Sequence, residues 1–229
     1  MTEWQLLNNV QHGQLRVSRR RDSARHFAQI VVGEFLKAAA YYPILFTKHP
    51  QTGAFYAGVV MGTEPGRNLL TVDGQLPDYR PADLERQGFF VADGQVVIYP
   101  DHPVFGDPDG RLLFGVDGEP EPALQRVQHA LHTLERGIPE TDALIRRFLS
   151  PHGLIEPIDV TLHSDDGRPV RLEGLYTISL DALHGLDDAA ALGMFRAGDL
   201  QLAYAQAISV QHLHRLGRLR NERLFEPVP

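Results

Sequence analysis

Five Asp-Gly dipeptides punctuate the chain, at Asp73, Asp93, Asp109, Asp117 and Asp166, with glycine following each. Tight hairpin turns need positive φ, which aspartate tolerates and glycine adopts readily. Four of the five fall within the first 118 residues, so that half is expected to fold as short strands doubling back on themselves. "FFVADGQVVIY" reads as two strands around Asp93-Gly94, and "DPDGRLLFGVDG" reads similarly. Further strand candidates are 14–17, 43–46, 54–62 and 68–72, each β-prone and bounded by turn residues.

The second half changes period. Leu124, Val127, Leu131 and Leu134 recur at helical spacing within 119–137, with prolines at the start and Gly137 at the end. A second helix is expected over 139–153, completing a helical hairpin. A shorter helix is read over 33–42, stopped by Pro43. Two β-rich runs, 157–162 and 170–180, flank Asp166-Gly167. A helix over 187–198 has Asp187 to cap it and Gly198 to end it. One longer helix follows over 199–224, its first half apolar nearly all round and therefore expected to be buried. The fold class expected is α+β in one domain over 1–229, strand-rich to residue 118 and helix-rich beyond it.

Composition excludes several function classes. The chain has 229 residues, 43% of them hydrophobic, and a formal charge of −7. Broad nucleic-acid binding needs a cationic face, and the compact basic run Arg19-Arg20-Arg21 is a small patch. Cysteine is absent, which removes disulfides, zinc–thiolate sites, iron–sulfur clusters and thiol nucleophiles. No window approaches the ~18 consecutive apolar residues of a membrane span. The first residues lack a secretory pattern, so the expected location is cytoplasmic, with the cell surface reached only by non-classical secretion.

His163-x-Asp165, with His212 or His214 further on and Arg218 and Arg220 beyond, has the letters of a 2-His-1-carboxylate iron site. The distal histidines lie in a helical stretch, two apart, so they point away from each other. The hairpin reading of 160–176 is therefore preferred. His129 and His132 have chelating spacing but fall off the apolar stripe. Asp101-His102 are sequence neighbours whose side chains diverge. Asp107-x-Asp109-Gly110 begins like a calcium loop whose later ligands are missing; with Asp101, Asp117, Glu119 and Glu121 it is expected to form a solvated acidic surface. Phosphate-loop, dinucleotide, serine-hydrolase and zinc-protease motifs are all absent. No catalytic, cofactor-binding or metal residue is assigned.

Several segments in this order resemble the SapC family of bacterial proteins: "VVGEFLKAAAYYPILF", "NLL" at 68–70, "YRP" at 79–81, "GFF" at 88–90, "LLFGVDGEPEPALQ", "GLIEP", "LEGLYTISLDALHGL" and "FRAGDLQLAYAQAISVQHLHRL". The resemblance runs from about residue 12 to about residue 220 and concerns the surface-layer-associated family, not the similarly named peptide-transport permeases. It implies surface-layer biology, with relatives near halogenase-like and hydroxylase-type enzymes, and it brings no catalytic residues. The leading expectation is a non-catalytic interaction protein with a protein, peptide or small-molecule partner, linked to the surface layer or its assembly. A cytoplasmic accessory protein comes second, with Tyr41, Tyr42, Phe89 and Phe90 available to line a pocket. A metal-dependent oxygenase using His163 and Asp165 comes third.

Overall fold

The computed structural model describes residues 4–18, 22–163, 165 and 169–224. The first half carries β1 (Gln5–Leu6), α1 (Asn9–His12), β2 (Arg16–Val17), β3 (Phe27–Gln29), α2 (Phe35–Ala39), β4 (Ile44–Lys48), β5 (Phe55–Val60), α3 (Ala82–Glu85), β6 (Phe89–Ala92), β7 (Gln95–Ile98) and β8 (Arg111–Leu112). The second carries α4 (Pro122–Leu149), β9 (Ile155–Pro157), β10 (Val160–Leu162), β11 (Val170–Leu172), β12 (Leu175–Ile178), α5 (Leu180–His184), α6 (Asp188–Ala197), α7 (Asp199–Ser209) and α8 (His212–Leu224). The fold is α+β. A five-stranded antiparallel sheet has the order β3-β5-β4-β12-β9, so strands from both halves share it; a smaller sheet is β1-β7-β6, and β2-β8 and β10-β11 are two-stranded ribbons.

Local chemistry explains the hairpins. Asp93 and Gly94 sit at φ of 51° and 73°, the left-handed pair that joins β6 to β7 in the register Ala92↔Gln95. Asp73 and Gly74 adopt similar angles, but the chain around them forms one bridge, Val72↔Gln75, and no strand over 68–72. In residues 107–118 the expected strand pair is likewise reduced: β8 pairs with distant β2, and the turn at Asp117-Gly118 closes one bridge, Phe114↔Pro120. The β10–β11 ribbon forms as expected, although Asp166 and Gly167 lie outside the described residues, as does Arg19-Arg20-Arg21.

The expected helical hairpin is replaced by one 28-residue helix, α4, which runs through Pro139. Its buried stripe continues past Leu134 through Gly137, Thr141, Leu144, Ile145 and Phe148, so the apolar period outlasts the two breakers. Gly137 is a contact point, not a terminator. A Cβ built there would lie 2.5 Å from Val31 Cβ. Thr141 strengthens the same crossing: its hydroxyl donates to the Gly137 carbonyl at 2.6 Å and accepts the Val32 N–H at 2.8 Å. Phe148 then meets Phe46 of β4 edge-on, 6.4 Å between ring centres, in the main core.

The long terminal helix is likewise corrected, into α7 and α8 with turns at Val210 and Gln211. It is not buried all round, since Ile208 is 60% exposed. Two buried polar residues hold the end of α7. Gln206 Oε1 accepts the Ile178 N–H at 2.9 Å, and its Nε2 donates to the Ile44 carbonyl at 2.7 Å. The side-chain amide thus fills the place of a ladder bond between β12 and β4. Ser209 accepts the Ile44 N–H and gives its own hydroxyl proton to the Gln206 carbonyl, an intrahelical diversion that favours the end of the helix there.

α6 begins as its sequence indicates. Asp187 Oδ1 accepts the Ala190 N–H at 2.8 Å, and Gly198 closes the helix at φ 79°. Asp187→Ala should lower unfolding free energy by about 1 kcal/mol, read from urea denaturation; an unchanged midpoint would remove the cap from the account of this helix.

Candidate functional site

The short turn at Asp22–Ala24 and the loop leading into α3 bring together charges that are far apart in sequence. Asp22 is fully buried. Arg80 Nε reaches Asp22 Oδ2 at 3.0 Å and Nη2 reaches Oδ1 at 2.8 Å, a two-pronged pair. Gln87 Nε2 and the Leu76 N–H also donate to this carboxylate, at 3.1 and 3.4 Å. On its other side Arg80 Nη1 donates to Glu85 Oε2 at 2.5 Å, and Arg126 of α4 donates to Glu85 Oε1 at 3.1 Å. The result is an alternating chain, Asp22–Arg80–Glu85–Arg126, running from the interior towards the surface. Burial works to lower the Arg80 pKa, but hydrogen bonds and charge from Asp22 and Glu85 outweigh it, and the guanidinium is held above its ordinary value.

A second buried acid braces the same loop. Glu34 Oε1 accepts the Tyr79 hydroxyl at 2.5 Å and the Ala82 N–H at 2.9 Å, while Oε2 accepts the Val31 N–H at 3.1 Å. The Tyr42 hydroxyl donates to the Tyr79 carbonyl. Burial, then the Glu34 charge, raises the Tyr79 pKa; burial, then Asp78, raises that of Tyr42. Both phenols therefore stay protonated as donors.

This chain meets a cleft of about 880 Å³ between the β2–β8 ribbon, α3 and the start of α4. Arg16, Arg80, Arg111 and Arg126 line it together with Glu85, Asp107, Asp109 and Glu121. The ribbon wall is fixed by Arg16 Nη1, which donates to the Gly110 carbonyl at 2.9 Å, and by the Ser18 hydroxyl, which donates to Asp107 Oδ2 at 2.6 Å. Cations and anions share one concavity whose volume falls within the usual range for ligand clefts.

The residues singled out from sequence lie mostly elsewhere. His163 and Asp165 are exposed by the β10–β11 ribbon, with the Asp165 N–H 3.4 Å from Asn221 Oδ1. His212 Nε2 bonds the Ala39 carbonyl at 3.0 Å, and His214 is exposed. Among the described residues, no three histidine, aspartate or glutamate side chains are grouped so as to hold a metal ion. His129 and His132 are exposed on α4. His102 accepts the Val104 N–H through Nδ1 at 3.2 Å, and burial, then Arg25, lowers its pKa. In the acidic loop, Asp107 and Asp117 accept the backbone N–H of Asp109 and Glu119, and only Asp107, Asp109 and Glu121 reach the cleft. Tyr42 and Phe89 are core residues and Tyr41 is 37% exposed. Phe90 is half-buried between Tyr99 and Arg86.

A family model described as SapC matches residues 7–216. The chain belongs to the SapC family. Its "EF" and "YRP" segments meet through Glu34 and Tyr79, and its "NLL" segment reaches the charge chain where Asn68 Nδ2 donates to the Asp22 carbonyl at 3.2 Å. Three of the segments that carried the SapC resemblance therefore meet around Asp22 and Arg80. No curated protein and no solved structure matches the chain.

Proposed function

We propose that this SapC protein is a non-catalytic binding protein, and that its cleft takes a peptide or small molecule bearing both positive and negative groups. The observation behind this reading is that four guanidinium and four carboxylate groups line one cleft, three of them, Arg80, Glu85 and Arg126, being linked to one another and through Arg80 to buried Asp22. A ligand of one sign would meet like charge as well as opposite charge on each wall; a ligand of both signs meets complementary partners. A binding role, as opposed to proton transfer, is favoured because the innermost ionisable groups are committed to each other and Arg80 is held charged.

The setting proposed is surface-layer assembly, which the family resemblance suggests. Protein purified from native cells under mild conditions should carry its ligand, identifiable by mass spectrometry. Arg126→Gln should reduce that recovery by about tenfold or more, the scale of one charge-assisted contact. Equal recovery from wild type and variant would end the cleft assignment. Fractionation tests the setting separately: recovery only in cytosol would remove the surface layer and leave an accessory protein beside a halogenase- or hydroxylase-type enzyme.

A further inference from the structure

α3 also carries Asp83, which belongs to a second concavity of about 410 Å³ with a different chemistry. Asp83 is buried, and each of its oxygens is taken by one arginine: Arg25 Nη2 donates to Oδ2 at 2.5 Å and Arg86 Nη2 to Oδ1 at 2.7 Å. The Gln29 N–H donates to Oδ2 as well, at 3.3 Å. Both guanidiniums line the concavity, with side chains 37% and 27% exposed. A guanidinium carries five N–H donors in a planar fork, so each keeps donors beyond the one aimed at Asp83. One buried acid therefore anchors two forks beside the same space, and Arg86 is further fixed over the Phe90 ring at 5.1 Å.

The remaining wall is aromatic and carries one opposing charge. Phe27 and Tyr56 meet edge to face at 5.9 Å in the lining; Phe55, the next residue along β5, turns its ring instead to Tyr176 and to Lys48 Nζ, each 4.8 Å away. Burial, then the Asp83 charge, raises the Tyr56 pKa, so its hydroxyl stays neutral. Asp142 of α4 lines it as well, as does His49, whose Nδ1 accepts the Gln51 and Thr52 N–H groups. Two arginines against Asp83 and Asp142 leave the concavity neutral, with the cations anchored and one carboxylate, Asp142, left to receive a cation.

We infer that this concavity is an aromatic amino-acid site: Arg25 and Arg86 take the α-carboxylate, Asp142 the α-ammonium, and Phe27 and Tyr56 the ring. The inference is independent of the cleft, and its test keeps the two apart. Phenylalanine, tyrosine and tryptophan are titrated into the full chain by calorimetry, alongside phenylacetate, which lacks the ammonium, and phenethylamine, which lacks the carboxylate. At least one amino acid should saturate with Kd below about 1 mM, and both phenylalanine fragments should bind about tenfold or more weakly than phenylalanine. Arg25→Gln and Arg86→Gln should each weaken phenylalanine and phenylacetate, whereas Asp142→Asn should weaken phenylalanine and leave phenylacetate unchanged. Arg126→Gln, in the cleft, should leave all these affinities unchanged. Each arginine variant leaves Asp83 one guanidinium partner, and thermal unfolding verifies that it folds. Absence of saturation by all three amino acids, or affinities indifferent to both arginine variants in folded protein, would overturn the site.

Discussion

Asp22→Ala is expected to lower the unfolding free energy by about 3–5 kcal/mol, the range for removing one member of a buried ion pair. Asp22 and Arg80 are both nearly sealed from solvent, with side-chain exposures of 0% and 6%. Alanine would leave the Arg80 guanidinium facing a void on one side, with Glu85 alone as its carboxylate. It would also orphan the Leu76 N–H and leave the Gln87 amide with the Leu84 carbonyl as its remaining acceptor. The pair's own net contribution is a separate quantity, because desolvating two charges offsets much of their attraction. Asp22→Ala combined with Arg80→Met should therefore be appreciably more stable than the sum of the single losses, with a coupling of about 0.5–3 kcal/mol. Urea unfolding of the four proteins measures this. A loss below about 1 kcal/mol for Asp22→Ala would mean that the charge chain is not what fixes this loop.

Gly137→Ala should destabilise the protein by about 1–3 kcal/mol, as overpacking does, although helix propensity alone predicts a gain of about 1 kcal/mol. The built Cβ would lie 2.5 Å from both Cβ and Cγ2 of Val31 and 3.0 Å from Cγ1, and Val31 has no flexible stem to swing aside. In a Val31→Ala background the penalty should shrink without vanishing, because the Val31 Cβ remains. Thermal unfolding of the four combinations reports the interaction. A stabilising Gly137→Ala in the wild-type background would contradict the close crossing of α4 over residues 31–32.

What the sequence disclosed is divided by range. The β6–β7 hairpin and α6 were legible because their determinants are local: Asp93-Gly94 sets one turn, and Asp187 and Gly198 bound one helix. From sequence α4 reads as two helices because Gly137 and Pro139 look like punctuation, whereas tertiary contact with Val31 and Val32 needs the missing side chain and overrides the breakers. The stripe running on through Thr141, Leu144 and Phe148 was the overlooked signal. The division between α7 and α8 depends on hydrogen bonds from Gln206 and Ser209 to strands about 30 and 165 positions away in sequence, which no helical periodicity encodes. The charge chain was hidden for the same reason: Asp22 and Arg80 are 58 residues apart, and neither belongs to a recognisable motif. The resemblance to SapC had picked out "YRP", but a family pattern does not say what its arginine touches.

The amide of Gln206 has a mechanical corollary. Because it spans two strands with one donor and one acceptor, α7 cannot slide along the sheet without parting Ile44 from Ile178. Glutamate at this position could still accept from Ile178 but would turn an ionised oxygen against the Ile44 carbonyl. Helix and central strands must therefore travel as a unit.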